Sequence, residues 1–150
     1  LHTNDAPGAV TRLGEMGVET FLTASSLVGV IAQRLMRLLC HHCKKSYVMS
    51  RKEILDSIPD FPLEPHEESV KLYKPVGCLS CNYTGYKGRK GVYEFLKVSE
   101  KMQKLIINGA STNEIRDLAI QEGMNTLRMD GLAKVKQGYS SIEELLRVIV

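Results

Sequence analysis

The sequence predicts a mixed α/β chain. Three observations carry this: β-branched and aromatic runs lie before residue 99, capped helical patterns dominate after it, and two Cys-x-x-C pairs punctuate the β-rich part. With 150 residues, 43% of them hydrophobic, the chain can build one sizeable domain or two small ones. Twenty Lys and Arg against seventeen Asp and Glu leave a net charge of +3, spread along the chain, so no concentrated field points to nucleic acid or an anionic membrane. No apolar run approaches the roughly 18 residues of a membrane span, and the start lacks a basic stretch followed by an apolar one, so a cytoplasmic location is expected. Leu1 in place of Met marks the expectation of a piece cut from a longer protein.

From the beginning, Asp5 before Ala6-Pro7-Gly8 predicts a helix that Gly17 ends, since Asp accepts from free backbone donors and Pro suits the first turn. Residues 21–28 suit a short packed helix, whereas 29–35 open with Val30 and Ile31 and lean toward a strand. Ser50-Arg51-Lys52-Glu53 fits a capping box and predicts a helix over 51–58. Pro59, Pro62 and Pro65 then impose a loop, followed by a short strand at 70–73 and a turn-rich hook from Gly77 to Gly91. Gly91–Val98 reads as a strand. Ser99 caps a helix to about Asn108, Ser111 and Glu114 make a second capping box before Gly123, and helices over 126–137 and 141–149 flank Gly138. Ile115, Leu118 and Ala119 show one-faced helical spacing, with Leu127, Leu132, Val135, Leu145, Leu146 and Ile149 as expected partners in a small helical bundle.

The chemistry lies in Cys40-His41-His42-Cys43 and Cys78-Leu79-Ser80-Cys81. Two residues between thiolates let a tight turn aim both sulfurs at one ion, and two such turns complete a tetrahedron. Structural zinc is the favoured reading. Disulfides conflict with a reducing compartment, a redox pair would leave the second motif unexplained, and iron takes the same ligands. Four cysteine ligands leave no open position for water, so the ion's role is structural. His41 or His42 would be an alternative ligand, but a solvent-facing pair is the simpler reading. The second pair partly matches a C-x-x-C-x-G-x-G chaperone repeat, with Gly85 at the second glycine but Tyr83 at the first and no repetition.

Several stretches together resemble the hexameric ATPases of type II secretion and type IV pilus assembly. Leu1-His2-Thr3-Asn4-Asp5 is similar to that family's histidine box, Gly29–Leu35 to a core segment, the paired cysteines to its tetracysteine motif, and Gly88–Glu94 and Glu122–Leu127 to further signatures. The resemblance implies that residues 1–39 end a RecA-like nucleotide-binding domain, that 40–98 form a zinc-binding subdomain with a return strand, and that 99–150 are the terminal helical domain. It implies that His2 lies near the terminal phosphate of ATP in the parent, with Mg2+. It also implies a homo-hexamer working on inner-membrane platform proteins, in the cytoplasm at that membrane's surface. There is no G-x-x-x-x-G-K-[ST] motif in the sequence, so this chain by itself is expected not to hydrolyse ATP. The competing reading is a zinc-ribbon-like module for nucleic acid or protein, to which Lys44, Lys45, Lys87, Arg89 and Lys90 with Tyr47, Tyr83 and Tyr86 would contribute. Nucleic acid is not the expected partner. Phe21, Leu22, Ile31 and Leu35 are expected to be exposed if the strands they normally lie against are missing.

Overall fold

The computed structural model describes residues 1–149 of the chain. In chain order its elements are α1 (Ala6–Glu15), α2 (Thr20–Ser26), β1 (Gly29–Leu39), β2 (Lys45–Ser50), α3 (Arg51–Ser57), β3 (Ser69–Lys74), β4 (Tyr86–Lys97), α4 (Glu100–Ile107), α5 (Thr112–Gln121), α6 (Leu127–Lys136) and α7 (Ile142–Val148). A single 3-10 turn spans Leu79–Cys81. β1 pairs with β4, and β2 pairs antiparallel with β3 in a register running from Lys45 opposite Lys74 to Ser50 opposite Ser69.

The chain divides into two compact units. The first comprises Leu1–Gln33 with Tyr93–Leu127. Helices α1, α4 and α5 start where short polar side chains can accept: Asp5 Oδ1 takes the Gly8 amide at 2.9 Å, Ser99 caps α4, and Ser111 and Glu114 form a reciprocal capping box. Ala6, Val10, Ala24, Leu96, Met102, Ile106, Ile115, Ala119 and Met124 make its core. Burial of these apolar side chains drives the unit together. Glu94, buried between Val92 and Leu96 on the inward side of β4, accepts the Ala6 amide at 2.9 Å on Oε1 and the Leu127 amide at 2.9 Å on Oε2. One carboxylate thereby serves the first residues of α1 and α6, where backbone donors lack helical partners.

The second unit comprises Arg34–Val92 with Arg128–Val150. Its buried apolar residues include Met36, Ile54, Leu72, Val92, Leu132, Val135 and Leu145. α6 and α7 pack closely because residue 131 is glycine: a Cβ there would run into the Leu145 side chain. Glu144 on α7 is fully buried and accepts from the Arg37 backbone amide at 3.1 Å and from both the Arg37 and Arg147 guanidinium groups. Burial alone would raise its pKa, but the hydrogen bonds from Arg147 and Arg37 outweigh that and bring it down to about 2.

Most expected helices occur within a residue or two of their predicted bounds, and the differences are instructive. The segment 21–28 is helical to Ser26, and within α2 Thr23 and Ala24 are buried while Phe21 and Leu22 stay exposed. β1 continues four residues beyond the expected strand, to Leu39, and delivers Cys40 directly. β4 begins at Tyr86, inside the expected hook. β2 was not foreseen. The C-terminal helices do not form one bundle: α4 and α5 belong to the first unit, and Ile115 and Ala119 pack with Ala6, Val10 and Leu96. Local periodicity identifies an apolar face but not the surface that covers it. Phe21, Leu22, Ile31 and Leu35 are exposed, as expected.

Candidate metal centre

The centre is built in the second unit from two short turns. In the first, the Lys44 amide returns to the Cys40 carbonyl at 2.9 Å. In the second, the Cys81 amide reaches the Cys78 carbonyl at 3.2 Å and the Tyr83 amide reaches the same carbonyl at 2.8 Å. The Cys40 amide donates to the Gly85 carbonyl at 2.9 Å, which ties the end of β1 to the second turn. All four sulfurs lie within 4.8 Å of one another, with Cys40 and Cys81 buried and Cys43 and Cys78 half-buried. The separations Cys40–Cys78, Cys43–Cys81 and Cys78–Cys81 are each 3.8 Å. A tetrahedron with metal–sulfur bonds of about 2.3 Å has edges of about 3.8 Å, so the four residues fit one tetrahedral ion. All four cysteines are free, and the spacing is far beyond the roughly 2.05 Å of a disulfide.

Backbone amides surround two of the sulfurs. Cys43 Sγ accepts from the Gly77 amide at 3.3 Å, and Cys81 Sγ accepts from the Cys78 amide at 3.3 Å and the Gly85 amide at 3.2 Å. Such donors stabilise thiolate charge and fix the direction of the sulfur. Burial resists ionisation of Cys81, but the Cys78 and Gly85 amides, with the Cys78 and Cys43 thiols beside it, lower its pKa to about 6. Cys43 moves the other way, to about 11: the Gly77 amide favours its thiolate, while burial and three neighbouring sulfurs oppose it more strongly. Both donor glycines are required by shape. Gly77 has φ of 118° and a Cβ there would stand 2.9 Å from the Tyr83 carbonyl oxygen; Gly85 has φ of 81° and a Cβ there would stand 2.5 Å from Pro75 Cβ.

His41 and His42 are exposed between the first two cysteines, their ring centroids 4.0 Å apart, and among the described residues the metal-capable group contains the four cysteines alone. His2 is exposed just ahead of α1. Arg12 pairs with Glu15 and Arg37 with Glu144, so neither is an unengaged charge. The glycines after the second cysteine pair suggest tight turns and close backbone approach below the metal, as Gly85 shows, whereas the amide donors of Gly77 and Cys78 carry no signal of their own in the sequence. Glu94 had a visible signal too: a carboxylate flanked two residues away on each side by Val92 and Leu96 in an alternating strand.

A two-unit α/β chain with four cysteine sulfurs gathered by paired Cys-x-x-C turns is the class these features define. Residues 1–147 match the family model described as Type II/IV secretion system protein, and the chain belongs to that family. It is 42% identical over 149 residues to the type IV pilus assembly ATPase TfpB of Acinetobacter baylyi, covering 99% of this chain and 25% of that protein. It is 44% identical over 147 residues to the type IV pilus assembly ATPase PilB of Thermus thermophilus, covering 97% of this chain and 16% of that protein. The type II secretion system ATPase E of Vibrio cholerae is 44% identical over 150 residues, covering 99% of this chain and 28% of that protein. The chain thus spans about a quarter or less of the length of the first two relatives and little more of the third. Among the described residues no helix is long and apolar enough to cross a membrane.

Proposed function

We propose that this chain is the C-terminal region of a hexameric ATPase that powers type II secretion or type IV pilus assembly, and that its own part is structural and coupling rather than hydrolytic. Identity above 40% to ATPases of both machines, over nearly the whole chain, supports the motor assignment. In that parent, residues 1–39 would close the RecA-like nucleotide-binding domain, 40–98 would carry the metal-bearing segment and return strand, and 99–150 would supply the terminal helices, of which α4 and α5 belong to the first compact unit and residues 128–149 to the second. His2 would stand near the terminal phosphate of ATP, with Mg2+ supplied to the parent's site. The partners are neighbouring copies in a homo-hexamer and the inner-membrane platform proteins, at the cytoplasmic surface.

The metal reading rests on one observation, the 3.8 Å sulfur spacing. Cys40, Cys43, Cys78 and Cys81 would hold a structural zinc ion. Zinc in such a site supplies folding free energy on the order of 10 kcal/mol and no open coordination position. The residues around it do the positioning: the Gly77, Cys78 and Gly85 amides orient Cys43 and Cys81, while the Cys40–Gly85 backbone bond holds the two turns in register. For the alternative of a nucleic-acid zinc ribbon, one of the three tyrosines it would use, Tyr86, is already covered by the Arg37 guanidinium at 4.2 Å.

Elemental analysis of protein purified without added metal, with an ATP titration on the same sample, tests both halves. One zinc per chain and no ATP binding is the expected outcome. Iron would replace zinc in the site, absence of metal would remove the site, and ATP hydrolysis by this chain would refute its non-hydrolytic role.

A further inference from the structure

The metal centre explains the cysteines and the glycines that approach them, but not what stands on the outer side of the second turn. Among the described residues, Asn82 and Tyr83 have positive φ without being glycine, at 52° and 62°. Asparagine visits this region readily, whereas a tyrosine Cβ crowds the following carbonyl. Such a conformation persists only where its surroundings impose it, and residues of this kind collect at functional sites. The surroundings here are backbone: the Tyr83 amide is held by the Cys78 carbonyl at 2.8 Å and the Thr84 amide by the Cys81 carbonyl at 3.2 Å. Glycine at position 83 would make the same turn without the crowding.

The side chain bought at that cost is not used to build the fold. Tyr83 is 67% exposed, and among the described residues no cation stands over its ring as one does over Tyr73, Tyr86 and Tyr139. Leu79, on the same turn, is 79% exposed, and the Asn82 amide bonds the Leu79 carbonyl at 3.2 Å, which keeps the two side chains on one small loop. Val76, also exposed, precedes Gly77, whose backbone lies against that of Tyr83. At the rim, Lys87 Nζ donates to Ser80 Oγ at 3.3 Å. The unit carrying this loop has fifteen Lys and Arg against nine Asp and Glu, a formal charge of +6, while the other unit has five against eight, or −3. Aromatic and aliphatic anchors with Lys87 at their rim, on a unit of net positive charge, suit an apolar surface flanked by anions.

We propose that Leu79 and Tyr83 are the anchors of a docking surface on the second Cys-x-x-C turn, for a polypeptide segment whose apolar side chains are flanked by carboxylates. The surface requires the turn to be folded, so metal content is measured on every sample, which separates loss of the metal centre from loss of docking.

The test is an amide-shift titration of the metal-loaded chain with a short synthetic peptide in which leucine and phenylalanine alternate with glutamate. A lysine counterpart of that peptide and phosphatidylglycerol vesicles serve as the other probes. Shifts centred on residues 76–87 with the glutamate peptide are expected, with affinity about tenfold weaker for the lysine peptide and for the Tyr83→Gly and Leu79→Ser variants. Tyr83→Gly should keep its metal and melt at the same temperature as the unaltered chain or higher. Unchanged affinity in both variants, an equal response to the lysine peptide, a response to vesicles alone or no response to any probe would overturn the proposal. So would a Tyr83→Gly chain that loses metal or melts lower, because the ring would then be part of the fold.

Discussion

In residues 1–33 and 93–127 the buried apolar side chains form a single cluster contributed by α1, α2, β4, α4 and α5, with Met124 following α5. In residues 34–92 and 128–150 buried apolar residues such as Met36, Ile54, Leu72, Leu132 and Leu145 are present too, but the link between β2 and β3 is proline-rich and the chain is in addition pinned at points: four sulfurs at one place, Glu144 with two arginines at another, and Lys44 reaching the Gly138 carbonyl at 3.1 Å at a third. A cluster of this kind loses stability gradually as atoms are removed, because each contributes in proportion to buried area. A pinned unit loses it in steps, because each pin is discrete.

The largest predicted difference between the units comes from the metal proposed for the four cysteines. Cys81→Ser, or chelation, should abolish amide-exchange protection across residues 44–91 while α4 and α5 keep theirs; equal loss in both units would erase the distinction. Next is Met102→Ala, which empties a fully buried position of the apolar cluster and should cost about 2–5 kcal/mol in urea unfolding, by the same amount with and without chelator. Glu144→Gln should cost about 3 kcal/mol, the low end for a broken buried pair because both arginines are partly exposed. The sign of its pH dependence follows from the depressed carboxyl: the contribution is complete above the ordinary value of 4.5 and disappears as pH falls toward about 2. An acid titration of the unaltered chain against Glu144→Gln should therefore converge over that interval. The smallest effect is expected from His42→Ala, which should leave metal stoichiometry unchanged; loss of metal would give that histidine a ligand's role.

Much of this contrast was legible beforehand in the capping positions. Asp5, Ser50, Ser99 and Ser111 each mark a helix start through a local hydrogen bond, and local bonds are what sequence displays directly. The metal-capable group was legible for the same reason, since each pair of cysteines spans a single turn. β2 escaped because Lys45-Ser46-Tyr47-Val48-Met49-Ser50 alternates weakly, and Lys45 faces Lys74 across the ladder. The partition of the C-terminal helices escaped because it depends on Ile115 and Ala119 meeting residues about a hundred positions earlier, a pairing no local pattern encodes. Glu94 takes its donors from 33 and 88 residues away, and Glu144 takes one of its two arginines, Arg37, from 107 residues away, with only Arg147 nearby in sequence.

The placement of the tetrathiolate turns also bears on the order in which the chain assembles. The first unit is discontinuous, so closing it requires residue 93 to return to residue 33 across the 59 residues of 34–92. An ion gripping Cys40, Cys43, Cys78 and Cys81 shortcuts most of that excursion and leaves only the segments 34–39 and 82–92 free. Shortening a loop about threefold to fourfold lowers its closure entropy by about 1 kcal/mol. Metal captured early would therefore speed formation of an apolar cluster that contains none of the metal's ligands.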